Sequence, residues 1–266
     1  MSQPIVPDIG KPVHLKDFST VHNGEAKKED AFAEMEKLRF RLNELQDLFY
    51  ADGRFAMLIV LQAIDTGGKD GTVKSVFREV GPLGCNVVNF GVPTSEELSH
   101  DYLWRYHLKA PERGHMTIFN RSYYESVLVE RVKGIAPEKV WKARYEEINR
   151  FEAYLASQGT MIMKFYLHIS KEEQRQRLQE RVDNPKKRWK FRAGDLDDRK
   201  RWGEYQDAFS DMVSKCNTEV AGWHVVPADQ NWYRDLVVAR SLVKKLESLD
   251  LKYPEAEAGV AGTVVV

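Results

Sequence analysis

The chain has 266 residues, 42% hydrophobic and 30% charged, with 40 basic and 40 acidic side chains and no formal net charge. That length suits one sizeable α/β domain, and the even charge argues against a general nucleic-acid binder, which carries a basic excess. Two cysteines, Cys85 and Cys216, at no metal-ligand spacing argue against a disulfide framework or a structural zinc site; with no apolar run of about 18 residues and no signal-peptide pattern, a cytoplasmic location without a membrane partner is expected.

Residues 1–26 hold three prolines and no sustained period, and read as an extended arm. From Lys27 to Tyr50 apolar residues recur at helical spacing: Phe32, Met35, Leu38, Leu42, Leu45 and Leu48. This face serves either as core packing or, through its 35–38–42–45 steps, as a short subunit seam. Phe55–Ala63 is a nearly continuous apolar run and fits a strand buried on both faces. Similar runs follow at Val87–Phe90, Met116–Phe119, Met161–Ile169 and His224–Val226, with helical stretches at 71–80, 95–108, 137–157, 171–183, 197–215 and 232–249. Strands alternating with helices predict a parallel sheet covered by helices, an α/β fold. Residues 27–250 form one domain, with a charged lid at 184–202, and 251–266 read as a flexible tail.

The segment Ala63-Ile-Asp65-Thr-Gly67-Gly68-Lys69-Asp70-Gly71-Thr72 ends the first strand and opens a helix. Glycines there let successive N–H groups wrap an anion, the helix N-terminus adds its dipole, and Lys69 adds a compact charge. Gly67, Gly68, Lys69, Asp70, Gly71 and Thr72 are therefore the expected phosphate-binding residues. The match to GxxxxGK[ST] is incomplete: Ala63 stands at the first glycine and Asp70 at the hydroxyl residue.

Met116–Phe119 is followed by Asn120, Arg121 and Glu125. A neighbouring strand of such proteins ends in an acid that holds magnesium; Asn120 carries no charge, so Asp65 and Glu125 are the expected metal ligands. Arg121 suits a bidentate phosphate contact. Residues 171–202 carry twelve basic and seven acidic side chains. Helix 171–180 reads as a solvated face with internal ion pairs. Arg181 and the 186–192 cluster (Lys186, Lys187, Arg188, Lys190 and Arg192) are expected to bind a polyanion, with Trp189 and Phe191 interleaved.

Taken together, the Asp65–Gly71 loop, Phe119-Asn-Arg121-Ser-Tyr-Tyr-Glu125, Arg181–Lys190, Asp195 and the Trp202–Ala208 helix resemble the polyphosphate kinase 2 family over roughly residues 30–250. The resemblance implies a thymidylate-kinase-like P-loop fold with a helical lid. It further implies Mg2+-dependent transfer of phosphoryl groups between inorganic polyphosphate and nucleotides, with Mn2+ as a substitute ion. Asn120, Tyr123 and Glu125 depart from the commoner Phe-Asp-Arg-Ser-Trp-Tyr-Asn pattern. That variant resembles the branch handling both AMP and ADP, class III. On this reading Asp65, Lys69, Arg121 and Arg181 are catalytic, and Asn120, Arg121 and Glu125 meet the nucleotide. A homo-oligomer, dimer or tetramer, is the expected assembly. Two rival readings are an ATP-dependent nucleotide or nucleoside kinase, and a polyanion- or RNA-binding module with an inactive P-loop.

Overall fold

The computed structural model describes residues 4–22 and 27–265; residues 1–3 and 23–26 of the expected arm, and the last residue of the expected tail, lie outside them. Five parallel strands form one sheet: β1 (Ala56–Gln62), β2 (Cys85–Asn89), β3 (Met116–Asn120), β4 (Thr160–His168) and β5 (Trp223–Pro227), in the spatial order β2-β3-β1-β4-β5. β1 is central and all seven of its residues are buried, as its unbroken apolar run requires. β2 differs from the expected buried run. It is an edge strand whose Asn86, Val87 and Asn89 are exposed, because only β3 pairs with it.

Ten helices cover the described chain. α1 (Lys28–Asp52) packs against α10 (Asn231–Glu247), and Met35, Leu42 and Leu45 are buried there. The stripe with subunit-seam spacing is thus core packing within one chain, while Phe32 and Phe40 stay exposed. α1 stops at Gly53, which adopts φ 65°, a left-handed conformation that costs glycine little. α2 (Lys69–Val76) starts in the glycine-rich turn after β1. The stretch expected to be helical over 95–108 breaks into two single turns, α3 (Ser95–Leu98) and α4 (Trp104–His107), with a bend between. α5 (Val129–Val132), α6 (Glu138–Ser157) and α7 (Lys171–Asp183) follow, α7 capped by the Ser170 hydroxyl accepting from the Glu173 amide at 3.0 Å. The helix expected over 197–215 is two, α8 (Ala193–Lys200) and α9 (Trp202–Lys215), hinged at Arg201.

Part of the arm is docked: Ile5 bridges Val225 of β5, and Val13 and Leu15 are buried in the core. From Leu251 to Val265 the chain carries no helix or strand. The strand order reverses around β1 and β3, whose connections leave in opposite directions. That places a crevice beyond their C-terminal ends, where ligands bind in open α/β sheets.

Candidate active site

Two loops meet at that crevice. The first follows β1. Gly67 turns tightly enough that a Cβ on it would lie 2.4 Å from the Ala63 Cβ and 2.9 Å from the Ile64 carbonyl oxygen. Gly68, at φ 102°, is the N-cap of α2. The Gly67 amide is spent on Ile64 O at 2.9 Å and the Thr72 amide on Gly68 O at 2.9 Å. Between those two, the amides of Gly68, Lys69, Asp70 and Gly71 find no acceptor among the described residues. They are the orphan donors of a helix start, which an anion satisfies. Thr72 is buried and its hydroxyl has no partner.

Lys69 is buried beneath the loop, and its ammonium donates to Ala63 O at 2.8 Å. Burial pushes its pKa down, the Arg121 charge adds to this, and Asp65, Glu125 and Asp70 oppose it; the outcome is about 8. Two of its three N–H groups remain for a substrate oxygen.

The second loop follows β3. Arg121 adopts φ 66° and its amide holds Leu61 O of β1 at 3.2 Å. Its guanidinium bridges two carboxylates, contacting Asp65 on one side and Glu125, at 3.0 Å, on the other. Glu125 also accepts from the Gln62 amide at 3.0 Å. The nearby Glu125 charge is the main force holding the Arg121 proton firmly on. Burial pushes the Asp65 carboxyl up, but Arg121, Lys69 and Arg181 together outweigh it and keep the group below the usual carboxylate range. Asp65, Lys69, Arg121 and Glu125 thus come together as one cluster, and Arg181 acts on it from α7.

The segment read as a lid meets the same loop through Lys190, a member of its basic cluster. Lys190 reaches Asp70 at 2.6 Å, and Asp70 also accepts from Asn120 at 2.8 Å. Burial opposes the Asp70 charge, but these two donors hold the carboxyl down at about 2. The Asp70 side chain is therefore occupied with Lys190 and Asn120, and only its amide is unspent. Asn120 donates to Asn89 of β2 as well, at 2.7 Å. Arg181 ties α7 to the lid through Lys190 O (3.3 Å) and Asp195 (3.4 Å). Lys186, Lys187 and Arg188 are not brought to the glycine loop. Lys187 pairs with Glu180 at 2.5 Å, Arg188 donates to Val182 O, and Lys186 is exposed on the lid surface.

α7 is more than the solvated face expected of it. Arg175 does pair outward with Glu172, but Gln174 donates to Asp65 O and Arg177 to Thr66 O. The i, i+3 spacing of these two residues, continued by Arg181 at i+7, was the available signal. Arg234 of α10 stands behind the loop as well; a Cβ on Gly68 would meet its Nη1 at 2.1 Å.

Among the described residues no group of three or more His, Cys, Asp or Glu side chains is placed to hold a metal ion. Asp65 and Glu125 instead flank one guanidinium. This donor set fits a hard cation carried by phosphate oxygens and held by one or two carboxylates, as is usual for Mg2+. Among the same residues no helix is long and apolar enough to cross a membrane.

The polyphosphate kinase 2 (PPK2) family profile matches residues 25–254. An AMP/ADP-polyphosphate phosphotransferase of Meiothermus ruber is 52% identical over 241 residues, covering 91% of this chain and 90% of the relative. An ADP-polyphosphate phosphotransferase of Rhodopseudomonas palustris is 43% identical over 227 residues, covering 81% of this chain and 78% of that one. The crystal structure of polyphosphate kinase 2 from Arthrobacter aurescens TC1 superposes with a TM-score of 0.90 at 39% identity, covering 96% of both chains. With its P-loop-like turn, its lid and this breadth of match, the chain belongs to the polyphosphate kinase 2 family.

Proposed function

We propose that this protein moves the terminal phosphoryl group of inorganic polyphosphate to AMP and ADP, giving ADP and ATP, with the reverse reaction on the same site. The observation that carries this is the row of four unspent amides, Gly68 to Gly71, facing the Lys69 and Arg121 charges at the sheet's switch point. The matched relatives carry the corresponding activities in their names.

Phosphoryl transfer asks for positioning and charge neutralisation more than for covalent help from the protein. An oxygen of the nucleotide's terminal phosphate attacks the end phosphorus of the chain. The bond from that phosphorus to its bridging oxygen breaks, and polyphosphate leaves one unit shorter. The Gly68–Gly71 amides and Lys69 hold the polyphosphate end. Arg121 and Arg181 neutralise the transferring group from two sides, and Asn120 and Glu125 meet the nucleotide. Asp65 orients Arg121 and, with Glu125, would hold a divalent cation, Mg2+ first and Mn2+ as its substitute; when bound, that ion neutralises phosphate charge. The lid, with Lys190 at the loop, excludes water and limits hydrolysis. Lys186, Lys187 and Arg188 attract the rest of the chain as an exposed basic strip. The proposal includes a cytoplasmic homo-oligomer, for which the exposed Phe32 and Phe40 of α1 supply a contact face; size-exclusion chromatography with light scattering tests it.

Luminescent detection of ATP from ADP, long-chain polyphosphate and magnesium, with no ATP added, tests the function. ATP formation is expected. A reaction only with ATP and AMP or a nucleoside would mark an ordinary kinase, and salt-sensitive polyanion binding without transfer would mark a binding module.

A further inference from the structure

Thr66 sits in the middle of the phosphate loop at φ 67°. A β-branched residue there is a genuine backbone outlier, and such strain persists only where the surroundings hold it. The holders are on α7. Gln174, fully buried, donates to Asp65 O at 3.3 Å, and Arg177 donates to Thr66 O at 3.1 Å. These are the consecutive carbonyls on either side of the strained turn.

Arg177 is itself fixed. Its Nε pairs with Glu173 at 2.7 Å, and its Nη2 donates to Ala228 O at 2.6 Å and Asp229 O at 3.2 Å after β5. One guanidinium therefore ties three segments together: the lid-bearing helix α7, the β5–α10 turn and the loop between Asp65 and Gly67. The same helix continues to Arg181, which reaches the lid.

We propose that Arg177 is a positioning residue. It holds Thr66 in its left-handed conformation, and so aims the Asp65 carboxylate at Arg121 and keeps the Gly68–Gly71 amides turned toward the phosphate. The inference rests on the function proposed above and adds a part of the site that works from behind the loop. Arg177 holds Thr66, Ala228, Asp229, Asn231 and Glu173, and on this proposal its part in the reaction runs through the backbone of Thr66.

The test is a double-mutant cycle on kcat and on KM for polyphosphate, with ADP as acceptor. Wild type, Arg177→Lys and Arg177→Met are compared in the Thr66 chain and again in the Thr66→Gly background. Glycine adopts positive φ without help. In the Thr66 chain, both arginine variants are expected to lower kcat by about ten- to a hundredfold, the scale of releasing such strain, and to raise KM for polyphosphate, whose end the loop amides hold. In the Thr66→Gly background the fall shrinks to less than about threefold, the two sites being coupled. A variant that folds only in the Thr66→Gly background also supports the proposal. An equal fall in both backgrounds, a normal kcat for Arg177→Lys in the Thr66 chain, or failure to fold in both would overturn it. An inactive but folded wild type would instead contradict the function on which it rests.

Discussion

Two ionic clusters, one in the core and one in the crevice, use similar side chains to opposite ends. Lys164 and Glu152 are completely buried. The Lys164 ammonium donates to Glu152 (2.7 Å), Tyr124 OH (2.8 Å) and Cys216 O (2.6 Å), so all three of its protons are used. Glu152 also accepts from Tyr123 OH at 2.7 Å and Tyr124 OH at 2.8 Å. In the crevice, Arg121, Asp65 and Glu125 keep 34%, 21% and 20% of their side-chain surface open. Lys69 has one partner and the neighbouring amides have none among the described residues. The closed cluster is satisfied by the fold; the open one keeps donors unspent among the described residues, and the proposed function gives them to a polyanion.

The core cluster should show the largest effect when broken. Glu152→Leu leaves Lys164 charged and buried, and should cost about 3–5 kcal/mol in urea denaturation, whereas adding Lys164→Met should restore most of it. If the single variant keeps wild-type stability, the core cluster does not do what the comparison assigns to it. In the crevice, Lys69→Ala should lower kcat by at least about a hundredfold with the fold intact by circular dichroism, the scale of losing one transition-state charge contact. Near-normal turnover in a folded variant would remove Lys69 from the site.

The Lys69 pKa of about 8 gives the comparison a pH signature. Deprotonation of the free enzyme removes the positive charge, so kcat/KM for polyphosphate should fall as pH rises past about 8, and a flat profile to pH 9.5 would contradict this. The stability linkage has the other sign. Unfolded Lys69 keeps its proton up to the ordinary lysine value of 10.5, so the unfolded state binds more protons between about 8 and 10.5 and this group's contribution to stability rises with pH there.

Glu125→Gln should change the ratio of AMP to ADP rates, and the divalent-ion dependence, by several-fold, roughly the 1 kcal/mol scale of a charge-assisted hydrogen bond. Identical ratios would leave Glu125 as a partner of Gln62 and Arg121 only. The smallest stability effect belongs to the lid clasp. Lys190 and Asp70 are 29% and 55% exposed, so Lys190→Ala should change stability by no more than about 1 kcal/mol. Its expected mark is a higher KM for polyphosphate, and an unchanged KM would set the clasp apart from substrate binding.

The sheet was legible because its strands are apolar runs with helices between them, and Asp65, Lys69, Arg121 and Glu125 because they sit where two such runs end. What stayed hidden depends on which way a side chain turns. The Tyr123 and Tyr124 rings sit in the core, fully buried against Glu152, so of the three departures that mark the motif as a variant Tyr123 is packing, while Asn120 and Glu125 stand in the crevice. Glu152 and Lys164 stand in a helix and a strand whose periods do not say that two charges are shut in together. On α7, Arg175 and Arg177 each sit three or four residues from a glutamate and pair with it, but only Arg177 also reaches the loop. A sequence shows the shared ion-pair spacing, and the tertiary contact decides between them. The Thr72 amide is taken by Gly68 O in the helix's own register, a pairing that the letters of the loop do not display.

The central claim about this molecule is that the open cluster is the place of phosphoryl transfer from polyphosphate. Phosphorus NMR tests this directly, with wild type and Lys69→Ala side by side in magnesium and long-chain polyphosphate, AMP added first and ADP second, and no ATP present. ADP and then ATP signals are expected from wild type as chain phosphates are consumed, and almost none from a folded Lys69→Ala. Nucleotide signals of equal size from both, or from neither, would contradict it.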